Sequence, residues 1–285
     1  MGICPNSLKH HAIGRAAAAL AITITLNGCI ALRPEERAAR QREPDEARYR
    51  VVVEGPRISA NALAGVDIVN PKGPVRVIVD PSLRRAAVDA RPIPRNGADR
   101  RELERLREAL AVSAESYVDD VRNVLRVRSA YRNPDENARI ELTVYIPSCG
   151  GVMIRNADGH VELIGVSGDI NVHSGVLGQT PGGSIMLVTE TPVHGPLKLA
   201  TTSGNIDIVM PSTSSGEYEV STSEGRVQMQ LIGGAISHSQ SAATRWTGIL
   251  NKGVHLCQVE TMRGNVRVRL VDAPIEYRPV SGMAP

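Results

Sequence analysis

The sequence predicts an all-β fold, a β-solenoid or β-helix-like stack of strand-turn-strand repeats, with one amphipathic helix inserted near the N-terminal end. Three observations carry this reading. A glycine-centred motif recurs through the second half of the chain, apolar residues alternate with polar ones on both sides of each glycine, and the 285 residues include 26 Gly but no Phe. Alternation of period two marks strands with one buried face. A thin repeated stack is filled by small and β-branched side chains, which accounts for a core with so few rings.

In chain order the first element is a signal peptide over residues 1–28. Lys9, His10, His11 and Arg15 form a basic head, and residues 16–26 form an apolar run too short to span a bilayer comfortably. The run ends in Leu26-Asn27-Gly28-Cys29, which resembles the lipobox of bacterial lipoproteins. That resemblance implies a diacylglycerol on the Cys29 thiol, cleavage just before Cys29 and, with Ile30 rather than Asp next, anchoring in the outer membrane. An ordinary leader cut near Cys29-Ile30-Ala31 is the alternative. Each buried methylene of a lipid adds about 0.8 kcal/mol, so two or three acyl chains would hold the protein at a membrane stably. Residues 29–50 alternate in charge and contain two prolines. They read as a charged, solvated tether, with a short helix as the competing form.

Residues 51–139 read as N-terminal strands around one helix. Val75, Val77 and Val79 alternate as a starting strand, and residues 86–90 continue the sheet. Leu103, Leu106, Leu110, Ala114 and Tyr117 recur at helical spacing, which predicts a helix over about 99–117 with Asp99 as its N-cap. Such a helix would pack across one end of the stack. Residues 121–127 return to strand.

The repeats occupy residues 140–272, followed by a tail over 273–285. Aligning Gly159, Gly204, Gly225 and Gly264 gives four copies: Val152-x-Ile154-x-Asn156 before Gly159 and Val161-x-Leu163 after it; Leu197-x-Leu199-x-Thr201 with Ile206-x-Ile208; Tyr218-x-Val220-x-Thr222 with Val227-x-Met229; and Cys257-x-Val259-x-Thr261 with Val266-x-Val268. Two further copies centre on Gly168 and Gly183. Spacings of 21 residues separate Gly183, Gly204 and Gly225, whereas 39 separate Gly225 from Gly264. Asn or Thr, two variable residues and Gly form a tight turn, so each unit cannot bury its apolar face alone and must stack. A β-sandwich of separate hairpins is the competing arrangement.

Here the chain resembles a bacterial family of domains of unknown function, named for a proposed role in adhesion, with repeats of the form S-G-[ND]-[IV]-x-[IV]. The matching stretches are VSGDINV at 166–172, TSGNIDI at 202–208 and RGNVRV at 263–268, and IELTVYIP at 140–147 resembles the strand that precedes the family's repeats. The resemblance is good over 140–270 and loose over 66–139. It implies a helix-like or toast-rack stack of strands in the cell envelope. It brings no functional residues with it.

Charge and chemistry narrow the function classes. The net charge of +3 includes +2 from Lys9 and Arg15 in the leader, leaving a nearly neutral body and no basic patch for nucleic acid. Of the four cysteines, Cys149 and Cys257 belong to the body; they read as small buried residues, with a disulfide between them as the other option. The sequence holds no H-E-x-x-H, no G-x-S-x-G and no phosphate loop, so no catalytic residue, metal or cofactor is expected. Asp158, His160, Asp169 and His173 could gather on adjacent rungs but read better as outward residues. The Ser and Thr runs near 201–203, 212–215 and 221–223 could face a glycan, or simply serve turns. Trp246 reads as a cap over the core end. The expected protein is a lipid-anchored, non-catalytic envelope protein for adhesion, scaffolding or surface interaction, whose partners are the membrane and an envelope protein or glycan. An envelope-stress sensor acting through a protein partner is the alternative, and a β-helical polysaccharide-active enzyme comes third.

Overall fold

The computed structural model describes residues 49–56, 58, 64–94, 99–119, 122–133, 138–176 and 178–274, all within the unit Arg42–Pro285. The expected signal peptide, the lipidation site Cys29, residues 29–48 of the tether and residues 275–285 lie outside the described residues. The described residues form twenty strands and one helix in two sheets, of nine and eleven strands.

The N-terminal part runs β1 (Tyr49–Val51), β2 (Val53–Glu54), β3 (Ala64–Asn70), β4 (Val75–Val79), β5 (Ala87–Ile93), helix α1 (Arg100–Ala109), β6 (Leu110–Asp119), β7 (Arg122–Tyr131) and β8 (Arg139–Ile146). The repeats follow as β9 (Gly151–Asn156), β10 (Val161–Ile164), β11 (Asp169–Ser174), β12 (Ile185–Val188), β13 (Leu197–Thr201) and β14 (Ile206–Pro211). The chain ends as β15 (Gly216–Glu224), β16 (Val227–Leu231), β17 (Ile236–Ser241), β18 (Arg245–Leu250), β19 (Leu256–Arg263) and β20 (Val266–Val271).

Each repeat places one strand in the eleven-stranded sheet, turns at a glycine, and places the next strand in the nine-stranded sheet. The stacking order differs from the chain order at both ends. In space the rungs run β7/β8, β3/β4, β9/β10, β11/β12, β13/β14, β19/β20 and β15/β16, with parallel neighbours throughout. The first-made rung is thus enclosed by the second, and the last-made rung is inserted beside its predecessor but one. Antiparallel strands finish the ends: β5 beside β8, β6 beside β7, and β18 beside β15.

The alternating pattern maps directly onto the interior. Val66, Val152, Ile170, Leu197, Cys257 and Tyr218 are successive cross-strand neighbours in the eleven-stranded sheet, and all are buried. Val75, Val161, Ile185, Ile206 and Val266 form the facing ladder in the other sheet, all buried. Each fully buried Val, Leu or Ile contributes roughly 1.5–3 kcal/mol, so these ladders are the main stabilising element.

The polar position of the motif is buried too. Asn70, Asn156, Ser174, Thr201, Thr261 and Thr222 stack in register at the corner. They satisfy the turn carbonyls: Asn156 Nδ2 donates to Gly159 O at 2.9 Å, Thr201 Oγ1 to Gly183 O at 2.8 Å, Thr261 Oγ1 to Gly204 O at 3.0 Å and Thr222 Oγ1 to Gly264 O at 2.8 Å. Ser129 on β7 extends the column by donating to Asn70 Oδ1 at 2.6 Å. A buried carbonyl left without a donor costs about 1–3 kcal/mol, which is why a small hydroxyl or amide recurs here.

Of the expected turn glycines, Gly159, Gly183, Gly204, Gly264 and Gly225 stack backbone on backbone in one column, and Gly73 begins it. Residues 66–77 repeat the same template, Val66-x-Ile68-x-Asn70, Gly73, Val75-x-Val77, so the signal for an earlier rung was present in the sequence. Gly168 belongs elsewhere. It lies at the opposite corner, packed on Gly150 just before β11, because its unit turns at Gly183 instead.

The helix is shorter than its spacing predicts. Asp99 caps it, accepting from the Glu102 backbone at 2.8 Å, but α1 stops at Ala109 and Leu110, Ala114 and Tyr117 lie in β6. From Leu110 onward ten cross-strand pairs with β7 are available, and Leu110, Ala114 and Ser116 are buried as strand residues. Tertiary pairing overrides a local helical spacing of this kind. Trp246 on β18 is buried in the core cluster.

Candidate binding groove on the outer face

The outer face of the eleven-stranded sheet carries a groove of about 520 Å³ that runs across the strands. Its floor is bare backbone, because Gly65 on β3 and Gly151 on β9 are direct neighbours in register. Tyr117 and Val124 wall it on one side, and Pro196 and Leu256 on the other. Arg122 leans over the floor, its Nη1 3.5 Å from the Gly150 carbonyl oxygen. A Cβ on Gly151 would come within 3.0 Å of that nitrogen, so the glycine keeps the space that the guanidinium uses.

Beside the floor runs a row of polar side chains. Asn171, Lys198 and Gln258 are successive cross-strand neighbours, so donors and acceptors recur at the strand spacing of about 4.8 Å. Asp67 stands at the far end of this row. It receives Arg128 Nη2 at 2.6 Å, Arg155 at 3.4 Å and Arg126 at 3.6 Å. Burial alone would raise its pKa; the hydrogen bond from Arg128 and the charges of Arg128, Arg155 and Arg126 outweigh it and hold the carboxyl below its ordinary value. Arg126 stacks on Tyr117, 4.5 Å from the ring centre. The groove therefore has fixed walls and a register of hydrogen-bonding groups suited to a linear molecule.

The four clustered candidates do not meet in one place. Asp158 pairs with Arg139 at 3.3 Å and flanks the Gly159 corner with His160. Asp169 opens β11 at the opposite corner, where it lines the groove, and His173 lies further along the same strand, exposed. Among the described residues no three His, Cys, Asp or Glu gather to hold a metal. The Ser and Thr runs are largely used internally: Thr201 and Thr222 serve the corner column, Ser214 accepts from the Val193 backbone at 3.0 Å, and Ser212 donates to Asp272 at 2.6 Å. Cys149 and Cys257 are free and buried. The strands they adjoin, β9 and β19, are three places apart, about 14 Å, beyond disulfide reach. The groove itself escaped the sequence reading, because its two floor glycines are far apart in the chain and become neighbours only through stacking.

The architecture defines a two-sheet stack of β-repeats, open at its ends rather than closed as a barrel. Residues 148–269 match the family model described as Toastrack DUF4097, which is what the repeat region is similar to. A comparison with curated proteins finds no match. Among solved structures, a proposed cell adhesion protein from Clostridium sporogenes is 7% identical with a TM-score of 0.46, over 79% of this chain and 99% of that one. A proposed adhesin from Bacteroides fragilis is 8% identical with a TM-score of 0.22, over 80% of this chain and 99% of that one. Among the described residues no helix is long and apolar enough to cross a membrane.

Proposed function

We propose that the protein is a lipid-anchored, non-catalytic component of the cell envelope, exported to the outer membrane, whose outer sheet face binds an extended glycan for adhesion or surface interaction. The groove carries this reading. It is long, mixed in polarity and lined by Asn171, Lys198 and Gln258 at regular spacing, with bare glycine backbone and the Tyr117 ring beside them. Neutral sugars are held by such combinations of planar donors and acceptors with apolar contact. The groups of the groove form no nucleophile and base pair, and Asp67 is already committed to three arginines. Anchoring rests on the Leu26-Asn27-Gly28-Cys29 motif.

Two experiments test the two halves. Radiolabelled palmitate is expected to enter the protein and to be lost in Cys29→Ala; equal labelling of both would remove the anchor. An array of envelope and matrix glycans is expected to show binding that Asn171→Ala with Gln258→Ala abolishes. Binding unchanged in that variant, or turnover of any glycan, would overturn the reading.

A further inference from the structure

The two ends of the stack are finished differently. At the β7/β8 end each sheet carries two more strands, β5 and β1 in one and β6 and β2 in the other. The outermost, β1 and β2, span three and two residues and carry Arg50 and Glu54. Short, charged edges of this kind keep a sheet from pairing with other chains. At the opposite end the last shared rung is β15/β16. There the eleven-stranded sheet continues through β18 and β17, whereas the nine-stranded sheet stops at β16.

This end lacks the charges of the other, although β17 carries one irregularity in its register, between Ser237 and Gln240. Val227 N donates to Ala243 O at 2.9 Å, and beyond it no described strand pairs with the outer edge of β16. Val227, Met229 and Leu231 are only half-buried, although their counterparts on the next rung, Val266, Val268 and Leu270, are fully buried. All six residues of β17 are exposed, with Ile236 41% exposed and Ile232 in the preceding turn 42%. Residues 227–244 contain no Asp, Glu, Lys or Arg, in a chain that is 22% charged. The uncharged stretch covers β16 and β17, the two strands left without an outer neighbour.

We propose that a second copy of this chain covers this end, forming a closed two-fold dimer in which β17 of each copy pairs antiparallel with β16 of the other. The strand directions permit it. The Gly225 turn joins β15 to β16, so the two run in opposite senses in facing sheets. With β18 antiparallel to β15 and β17 antiparallel to β18, β17 runs opposite to β16. A two-fold axis parallel to the strands keeps their directions and exchanges the two sheets. It sets the overhanging strand of each copy in line with the truncated sheet of the other. The contact is isologous and closes at two copies. An uncharged surface meets its own copy without placing like charges together, a penalty that a charged end would incur. Met229 and Leu231 then gain an apolar neighbour in the other copy's Ile236, and Gln228 and Gln230 remain on the outer face.

The test is the mass of the full chain in detergent, by light scattering that separates protein from detergent. The expected mass is twice that of one copy, which is 30.5 kDa for the uncleaved 285 residues and correspondingly less once the leader is removed. Ile236→Asp is expected to reduce it to one copy, and so is Ile236→Lys, since position 236 is 41% exposed in a single copy and covered in the dimer, with the far-UV circular dichroism unchanged in both. Amides of residues 228–231 are expected to exchange faster in either variant. A single copy in the unaltered chain at every concentration would overturn the proposal. So would a dimer that survives both substitutions, or open-ended assemblies larger than two copies. Protection of residues 228–231 in a single copy, lost on removing residues 275–285, would assign the edge to the chain's own tail instead.

Discussion

Gly225 lies against Gly264, so closely that a Cβ on Gly225 would fall 2.0 Å from the Gly264 carbonyl oxygen. The two residues are 39 apart, whereas 21 separate Gly183 from Gly204 and Gly204 from Gly225. The contact explains the irregularity. The chain makes the β15/β16 rung, continues through β17 and β18, and only then lays β19/β20 into the place between β13/β14 and β15/β16. The doubled spacing records that detour, and the final rung can complete its pairs only after both its neighbours exist.

Gly225→Ala is expected to destabilise the fold sharply. The position has φ +156° and touches backbone that cannot swing aside. Backbone strain of about 1–3 kcal/mol and overpacking of a similar size put the combined loss at roughly 2–5 kcal/mol. Gly178→Ala is the matched comparison, since its φ is +73° but nothing lies within 4 Å of its Cβ position. Urea unfolding of both variants separates steric contact from backbone strain: equal losses would show that the column is not tightly packed.

The corner column makes a second expectation. Thr261→Val keeps the shape of the side chain but removes the hydroxyl that donates to Gly204 O. The loss is expected to be about 1–3 kcal/mol, while Thr261→Ser retains most of the stability. A Val variant as stable as the original would mean that water or another donor already serves that carbonyl.

These devices differ in how far the sequence shows them. Period-two alternation exposes the strands because each rung buries one face, and the glycine phase exposes the turns because the column tolerates no Cβ. The spacing of Leu103, Leu106, Leu110 and Ala114 misleads past residue 109, since a strand in a paired sheet buries Leu110 and Ala114 equally well. Rung order is hidden, because identical templates can stack in any sequence and only register distinguishes them. The groove is hidden for the same reason. Gly65 and Gly151 look like ordinary strand residues until β3 and β9 become neighbours, and Arg122 has no local signal that it will lie over them.

Asp67 gives the protein a specific acid sensitivity. Its folded pKa is held below the ordinary 3.8 by Arg128, Arg155 and Arg126 against the opposing effect of burial. The stabilisation is therefore complete above 3.8 and is lost as pH falls from that value through the lower folded one, where the folded state must take up a proton it binds poorly. Asp67→Asn is expected to lower stability at neutral pH and to flatten the acid limb of the unfolding profile. A parallel acid limb in the variant would show that the three arginines do not hold the carboxylate.

Cys257 sits inside the core between Leu197 and Tyr218, and burial pushes its pKa up to about 11, despite the neighbouring Tyr218 hydroxyl. Burial raises the Cys149 thiol as well. Only the thiolate reacts with alkylating agents. At pH 8 a thiol with a pKa near 11 is ionised to about one part in a thousand, against roughly a tenth for an ordinary thiol at 9.0. Native protein is therefore expected to alkylate at Cys257 on the order of a hundredfold or more slowly than unfolded protein, before steric shielding is counted. The same group lowers stability as pH rises from the ordinary 9.0 towards about 11, because the unfolded chain releases a proton that the folded chain keeps. Mass spectrometry after timed iodoacetamide treatment, with and without urea, measures both thiols together. Rapid labelling of Cys257 in the native state would mean that the β19 rung opens readily, and that the last-inserted rung is the weak point of the stack.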